Sequence, residues 1–374
     1  MRVESCRWRP VDFPSLSDKA SPPASKAWEA STGLLQAPVL LDDAPGLCHS
    51  DAPEQRGNPM SELILHEYPA SPFSEKIRAL FGYKQLAYRS VELPVIMPKP
   101  DLTALTGGYR KTPVMQIGAD IYCDTALIAR VIEDTKPDPA VLDGTRGAVS
   151  VAAARWTDSD FFRVCVGMAF KPEAVASNPR FQDPTVVEAF LKDRAALTAG
   201  APNLAMPEAR AEAAFVEHLQ HMEQTLSEQS YLGGDTPSIL DFSTWHCLWF
   251  VYAQPVLRDF FALAGAVQSW MKRMADFSER GESVALSSEE AIEIARESEP
   301  AGFDSLEVNH ASGLTIDQSV AVMPTDYGFQ PVTGTLQRLT PDVITIARED
   351  ERAGRLHVHF PRYGFEVSPE GDAS

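Results

Sequence analysis

The sequence predicts a mixed α/β domain, then an all-helical domain, and finally a small, mainly β region. Between residues 63 and 133, short apolar runs with strand or helix periodicity follow one another in the order β-α-β-loop-β-β-α. Beyond a linker around Pro137–Pro139 and Gly144, apolar residues recur only at helical spacing. After residue 300, alternating stretches are separated by glycine and proline, which is typical of strands joined by turns.

The α/β domain is predicted to span residues 60–140 and to begin with a strand at Leu63–Tyr68. The next helix has one buried face, because four apolar residues are spaced at i, i+4, i+7 and i+8: Phe73, Ile77, Leu80 and Phe81. Three further strands and a closing helix complete the domain: Tyr88–Leu93, Val114–Ile117, Ile121–Tyr122 and Thr125–Glu133. The proline-rich stretch between the second and third strands predicts a loop that ends at Gly107–Gly108.

The all-helical domain is predicted to span residues 146–280. Four of its helices are expected near residues 148–170, 184–198, 207–229 and 259–277. A further helix begins after Ser238, because Asp241 follows three residues later and the pair forms a capping box with aspartate in place of glutamate.

The two ends of the chain differ from this pattern. Residues 284–374 are predicted to form the small β-rich module, with one helix and three strands: Ser288–Arg296, Leu306–Val308, Val343–Ile346 and Leu356–Phe360. Residues 1–59 contain eight prolines and no persistent apolar period. We interpret them as a disordered tail, or as a mis-assigned start of a protein that begins at Met60. A regulatory or targeting arm is the alternative.

The composition argues against several classes of partner. The formal net charge of −19 repels phosphate backbones and anionic lipid headgroups, so neither nucleic acid nor a membrane is expected as a partner. The five cysteines are scattered and form no C-x-x-C pair, which favours a reducing, cytoplasmic location over a disulfide framework. There is no apolar run long enough to span a membrane and no secretory signal.

The first candidate site is the turn Ser71-Pro72-Phe73-Ser74, between the first strand and its helix. A residue before proline favours extended geometry, and proline suits the first helical position, so Ser71 is predicted to be the N-cap. A thiol at this helix terminus would meet a hydroxyl donor and unpaired N–H groups, both of which favour the thiolate. Ser74 is the second candidate for this catalytic role. A purely capping role for Ser71 is the alternative.

Two further motifs are candidates for binding a small peptide. Lys111-Thr112-Pro113-Val114 enters the third strand, where a cis peptide bond would present the Val114 backbone to an extended ligand. Asp124-Thr125 begins a helix, whose free N–H groups can hold a carboxylate. An ordinary trans turn and simple capping are the alternatives for these two motifs.

In their order and spacing, the three motifs resemble those of the cytosolic glutathione transferases. The resemblance covers residues 63–278 and is strongest with the omega and zeta classes, in which the position of Ser71 holds a catalytic cysteine or serine. It implies a thioredoxin-like first domain, a cis-proline turn at Thr112–Pro113, and a γ-glutamyl site at Asp124-Thr125, where the family usually has Glu-Ser. It also implies glutathione as co-substrate and a homodimer. Residues 284–374 lie outside the family pattern.

Serine at position 71 cannot form the mixed disulfides that cysteine would form there. The sequence therefore favours addition, substitution or isomerisation, with Ser71 hydrogen-bonding to the glutathione sulfur and the thiolate attacking a small electrophile. Side chains of the first long helix in the second domain are candidates for the electrophile pocket: Trp156, Asp160, Phe161 and Phe162.

Two other interpretations come from different functional classes. A non-enzymatic adaptor would keep the fold and use the C-terminal module for interaction, whereas thiol-disulfide exchange is disfavoured by the two serines. His357 and His359 alternate on one predicted strand and could begin a metal site. With no third ligand in view, an exposed polar face is the preferred interpretation. The nearby acidic run Glu349–Glu351 is interpreted as a solvated hairpin tip, so no metal site is assigned.

Overall fold

The computed structural model of the chain describes residues 62–142, 147–201, 204–303 and 312–371. The predictions for residues 1–59 and for a strand at Leu306–Val308 lie outside these ranges. Within the described ranges, no helix is both long and apolar enough to cross a membrane.

The α/β part has the predicted order of strands and helices, with one helix more than expected. Its elements are β1 (Leu63–Glu67), α1 (Pro72–Lys84), β2 (Tyr88–Glu92), α2 (Pro100–Thr106), β3 (Val114–Ile117), β4 (Asp120–Cys123) and α3 (Thr125–Thr135). Strand β1 is parallel to β2 and antiparallel to β3, which pairs with β4 in an antiparallel hairpin. All five side chains of β1 are buried, as expected for a strand covered on both faces.

Helix α2 corrects the prediction of a loop between the second and third strands. Pro100 occupies the first turn, where its missing N–H costs no hydrogen bond. Gly107 ends the helix with φ +75°, and its N–H donates to the Thr103 carbonyl at 2.8 Å. The proline and glycine that predicted a loop are therefore the start and stop signals of a short helix, which buries Leu102 and Leu105.

The helical part follows after residue 146. Its α-helices are α4 (Gly147–Trp156), α5 (Phe162–Ala169), α6 (Pro172–Ser177), α7 (Pro184–Leu197), α8 (Glu208–Glu228), α9 (Ile239–Tyr252) and α10 (Gly265–Arg280). A π-helical turn, Thr157–Phe161, joins α4 to α5, so the single helix predicted near 148–170 is interrupted. The short helix α6 was not predicted. The capping box at Ser238 and Asp241 is present, and it starts the almost wholly buried helix α9.

The C-terminal part contains the predicted helix and a strand-rich region. Its elements are β5 (Ser283–Ala285), α11 (Ser288–Glu297), β6 (Ser319–Pro324), β7 (Val332–Leu339), β8 (Val343–Asp350), β9 (Gly354–Pro361) and β10 (Phe365–Pro369). These strands join the first domain in one ten-stranded sheet, with the order β10-β6-β7-β8-β9-β4-β3-β1-β2-β5. Strand β9 is parallel to β4 and places His357 opposite Asp120.

The hydrophobic core continues across this junction. Val114 and Ile121 of the α/β part belong to the same buried cluster as Ile344, Val358 and Phe360 of the C-terminal strands. The C-terminal strands therefore cover an edge and a face of the first domain that would otherwise be apolar and exposed.

Candidate functional site

One cavity of about 2080 Å³ is lined by the α/β part, the helical part and the C-terminal strands. Most of the residues that the sequence predicted as site residues line it: Ser71, Phe73, Lys111, Thr112, Pro113, Asp124, Thr125, Trp156, Asp160 and Phe162. The other three do not belong to its lining: Ser74, Val114 and Phe161. Elements far apart in sequence thus bring residues of the three candidate motifs to one cavity.

Ser71 is the N-cap residue of α1, with extended backbone geometry (φ −76°, ψ 118°). Its Oγ accepts a hydrogen bond from the Ser74 N–H at 3.2 Å and donates to the Thr112 carbonyl across 3.5 Å. The latter contact is at the long limit for a hydroxyl donor, so the hydroxyl proton is weakly engaged. Ser71 is therefore a cap whose proton is available to an anion at the positive end of the helix.

Ser74 is placed differently. Its side chain is fully buried, and within the described ranges its Oγ has no hydrogen-bond partner. Since it does not line the cavity, Ser71 is the better placed of the two serines to meet a ligand there.

The Thr112–Pro113 peptide bond is cis, and Val114 directly after it begins β3. Val114 is fully buried as a whole residue and does not line the cavity, whereas Thr112 and Pro113 of the turn do. The Thr112 Oγ1 accepts a hydrogen bond from Lys99 Nζ at 3.1 Å. Lys111 Nζ pairs with Asp326 at 2.6 Å and lies 3.9 Å from the centroid of the Tyr327 ring.

Lys99 was not recognised in the sequence, although it lines the cavity. Burial, together with the nearby Arg194 and Arg110, lowers its pKa to about 8. The residue lies between two prolines, Pro98 and Pro100, and the sequence around it was interpreted as a loop. Lys99 is a candidate site residue because the turn before α2 places its side chain next to Thr112.

Asp124 caps helix α3 in an unusual backbone conformation, with φ +76°. A positive φ is uncommon for residues other than glycine, and such strain is concentrated at functional sites. The Asp124 carboxylate accepts a hydrogen bond from the Ala126 N–H at 2.8 Å, and burial raises its pKa. The neighbouring Thr125 Oγ1 accepts a hydrogen bond from Lys76 Nζ at 3.3 Å.

A buried polar network connects this helix terminus to the helical part. Lys76 of α1, only 1% exposed, forms an ion pair with Asp158 at 2.6 Å. The other Asp158 oxygen contacts His246 Nε2 of α9 at 2.9 Å. Burial opposes ionisation of both Asp158 and His246. Lys76 and His246 nevertheless lower the pKa of Asp158 to about 2. Cys247 and Asp158 raise the pKa of His246 to about 9.

Asp158 was also missed, in favour of its neighbour Asp160. Asp158 lies in the π-helical turn after α4 and lines the cavity. A signal was present, because Asp158-Ser-Asp160 interrupts an otherwise apolar helical stretch. The insertion that turns Asp158 toward Lys76 is a property of the π-turn, which helical periodicity does not predict.

The aromatic residues of this region separate into two groups. Trp156 is 46% exposed and lines the cavity, as does Phe162, whose ring centroid lies 4.7 Å from that of Phe73. Phe161 instead packs into the helical core, 4.1 Å from the His218 ring. Phe161 therefore does not line the cavity where the sequence placed it.

Two family models match the chain. Residues 65–140 match the glutathione S-transferase N-terminal domain, and residues 188–273 match the glutathione S-transferase C-terminal domain. No curated protein is similar enough to be counted as a match.

A GST-like protein from Pseudomonas syringae is 39% identical to the chain, with a TM-score of 0.69. The match covers 83% of this chain and 100% of the Pseudomonas protein. A tau-class glutathione S-transferase from mango, Mangifera indica, is 17% identical over 57% of this chain and 89% of its own, with a TM-score of 0.43. The theta-class enzyme from Xanthomonas axonopodis pv. citri, solved with glutathione bound, is 19% identical over 59% of this chain and 97% of its own, with a TM-score of 0.44.

The Pseudomonas match covers more of the chain than the mango and Xanthomonas matches do. Its high identity and full coverage agree with the two family models and with the thioredoxin-like and helical parts described above. The chain therefore belongs to the glutathione S-transferase family.

Proposed function

We propose that the protein binds glutathione and activates its thiol for attack on, or isomerisation of, a small electrophile. The observation that carries the proposal is the convergence of Ser71, the cis Thr112–Pro113 turn and Asp124-Thr125 on one cavity. Each motif alone has a structural explanation, whereas their common cavity offers a hydroxyl donor, a backbone edge and a charged helix terminus to one tripeptide.

The charges at the site match the two ends of glutathione. The γ-glutamyl carboxylate finds the Thr125 hydroxyl and the N-terminal N–H groups of α3, and its ammonium group finds Asp124. The backbone of the cis Thr112–Pro113 turn, which lines the cavity, meets the cysteinyl part of the peptide. Lys99, a cation beside Thr112, is available for the glycyl carboxylate.

Ser71 performs the chemical step by stabilising the thiolate. Its hydroxyl donates a hydrogen bond to sulfur, and the N-terminus of the 13-residue helix α1 adds a positive potential. Because one pKa unit corresponds to about 1.4 kcal/mol, these two contributions lower the thiol pKa by roughly one to two units. The thiol proton passes to solvent, and the thiolate sulfur bonds to the electrophilic carbon as a leaving group such as chloride departs with its bonding electron pair, or as an activated double bond opens.

The remaining volume accommodates the second substrate. A cavity of about 2080 Å³ exceeds the roughly 300–1,000 Å³ of an ordinary small-molecule site. Trp156 and Phe162 form part of its wall on the side of the helical domain. This side favours an apolar or aromatic electrophile, in agreement with the proposed transferase chemistry.

The variant Ser71→Ala tests the proposal. Since the thiol would lose its hydrogen-bond donor, we expect turnover of a generic chloronitrobenzene electrophile at pH 7 to fall about 10- to 100-fold. Glutathione binding, measured by calorimetry, should change little, because the peptide ends contact other residues. Ser74→Ala is the matched control and should retain wild-type turnover.

Equal turnover of the Ser71→Ala variant and the wild type would contradict the role given to Ser71. Glutathione binding by the wild type without any turnover would favour an adaptor that keeps the site but not the chemistry. The predicted homodimer belongs to this proposal as well, and light scattering on the purified protein measures it.

A further inference from the structure

Three potential metal ligands meet where the C-terminal strands join the first domain. Asp120 lies on β4, and His357 and His359 lie on the parallel strand β9. Residues two apart on a strand point to the same face, so both imidazoles project toward the carboxylate of the neighbouring strand. One ligand atom from each of the three residues lies within 4.8 Å of the other two.

The two imidazoles converge on one carboxylate oxygen. Asp120 Oδ1 lies 2.9 Å from His359 Nε2 and 3.8 Å from His357 Nδ1. The other oxygen, Oδ2, accepts a hydrogen bond from the Ala301 N–H at 2.9 Å, which holds the carboxylate in this orientation. The cluster is therefore directed inward and is not the exposed polar face that the sequence suggested.

Surrounding groups orient the two rings. Thr345 Oγ1 lies 2.9 Å from His359 Nδ1, and the Tyr122 ring stacks on the same imidazole at 4.5 Å between centroids. Phe303 stacks on His357 at 5.4 Å. Hydrogen bonds of this kind fix the rings of metal-binding histidines in known sites.

His357 Nδ1 is the atom that hydrogen bonding does not explain. It is buried, and within the described ranges it has no hydrogen-bond partner. A buried nitrogen without a partner loses the hydrogen bond that water would provide, which costs free energy unless another group occupies that place.

We propose that Asp120, His357 and His359 bind a divalent transition-metal ion of the zinc type. Two imidazoles and one carboxylate form a donor set that such ions favour, and it leaves a fourth position for water. The His357 side chain is 13% exposed, although its Nδ1 is buried. The ion would connect β4 to β9 and so stabilise the attachment of the C-terminal strands to the first domain.

The site is separate from the proposed glutathione site. None of its three ligands lines the large cavity. The sequence indicated the two histidines but assigned no metal site, because Glu349–Glu351 was interpreted as a solvated hairpin tip. The third ligand instead comes from β4, more than two hundred residues earlier in the chain.

Zinc binding by the full chain tests the proposal. After treatment with a chelator and dialysis, we expect calorimetric titration with ZnCl₂ to show one site that depends on these ligands. His357→Ala should weaken this binding at least tenfold, and Asp120→Asn should do the same. Co²⁺ should give visible d–d bands with the wild type and lose them with His357→Ala. His221→Ala, which removes an exposed histidine of α8, is the control and should bind as the wild type does.

Thermal unfolding provides a second measurement. Zinc should raise the Tm of the wild type and of His221→Ala, but not that of His357→Ala. His357→Ala should remain folded, because the Nδ1 that it removes has no described hydrogen bond; circular dichroism checks this. The proposal is overturned if the wild type binds no zinc, or if His357→Ala and Asp120→Asn bind it as tightly as the wild type.

Discussion

At the scale of single residues, the network of Lys76, Asp158 and His246 connects the two domains beside the cavity. The ion pair between Lys76 and Asp158 is largely shielded from water, because the lysine side chain is 1% exposed and the aspartate side chain 20%. Removing one partner from such a pair leaves an uncompensated buried charge, which costs far more than an exposed ion pair contributes. Helical periodicity identified none of these contacts, because they join three separate helical segments.

Asp158→Asn should therefore destabilise the protein by about 3 kcal/mol, since Lys76 would be left buried without its carboxylate. Asp160→Asn is the control, because Asp160 is exposed and two residues away; it should change the stability by less than about 0.5 kcal/mol. Urea unfolding at pH 7 measures both free energies. Equal stability of the two variants would show that the buried pair contributes nothing.

The same network predicts how stability depends on pH. The pKa of His246 is raised from 6.5 to about 9 in the folded state, so its contribution is complete below pH 6.5 and is lost as the pH rises through about 9. The pKa of Asp158 is lowered from 3.8 to about 2, so its contribution is present above pH 3.8 and is lost as the pH falls through about 2. Between pH 6.5 and 9, unfolding free energy should decline more steeply in the wild type than in Asp158→Asn.

At the scale of secondary structure, helix α2 shows how a short element depends on its surroundings. Seven residues form too few hydrogen bonds to be stable alone. The helix is held by burial of Leu102 and Leu105, and Arg348 of β8 donates a hydrogen bond to the Ala104 carbonyl at 2.7 Å. Pro100 and Gly107, which begin and end the helix, are visible in the sequence. The sequence does not indicate that β8 packs against the helix and supports it.

Gly107→Ala should destabilise the protein by roughly 1–3 kcal/mol. The added Cβ would lie 2.6 Å from Arg348 Nε and 2.9 Å from Val332 Cγ1, at a residue whose φ is +75°. Gly265→Ala is the control, because a Cβ there would meet nothing within 4 Å and alanine favours the helix. Thermal unfolding of both variants measures the difference, and an unchanged Tm for Gly107→Ala would contradict the close approach.

At the scale of the whole molecule, the ten-stranded sheet makes the C-terminal strands part of the first domain's core. Strand β4 lies at the edge of the first domain's own strands and pairs with β9. The sheet is thereby continued by five C-terminal strands. Val114 and Ile121 are fully buried in the cluster that these strands complete. The alternation of apolar and polar residues after residue 300 predicted strands. It does not indicate which edge of the first domain's sheet those strands extend.

Truncation after Pro300 should therefore be severely destabilising. Loss of β6–β10 would leave the β4 edge unpaired and expose Ile121 and its apolar neighbours, which favours aggregation. We expect a lower Tm and self-association, measured by thermal unfolding and size-exclusion chromatography. A monodisperse truncated protein with the wild-type Tm would show that the strands are an independent appendage.

The sequence by itself determined the features that depend on neighbouring residues. The cap at Ser71, the helix start at Asp124-Thr125, the capping box at Ser238 and the alternation of β8 and β9 all follow from local sterics, hydrogen bonding and periodicity. Their order and spacing, compared with a known family, were sufficient to predict the thioredoxin-like and helical fold.

The tertiary structure alone decided which distant residues meet. Lys76 and Asp158 are separated by 82 positions, and Asp120 and His359 by 239. Their contacts depend on domain packing, on a π-helical turn and on the pairing of β9 with β4, none of which has a local sequence signal. Long-range contacts form only where the global packing energy selects one arrangement. For that physical reason the large cavity, the buried ion pair and the proposed metal site became visible only in three dimensions.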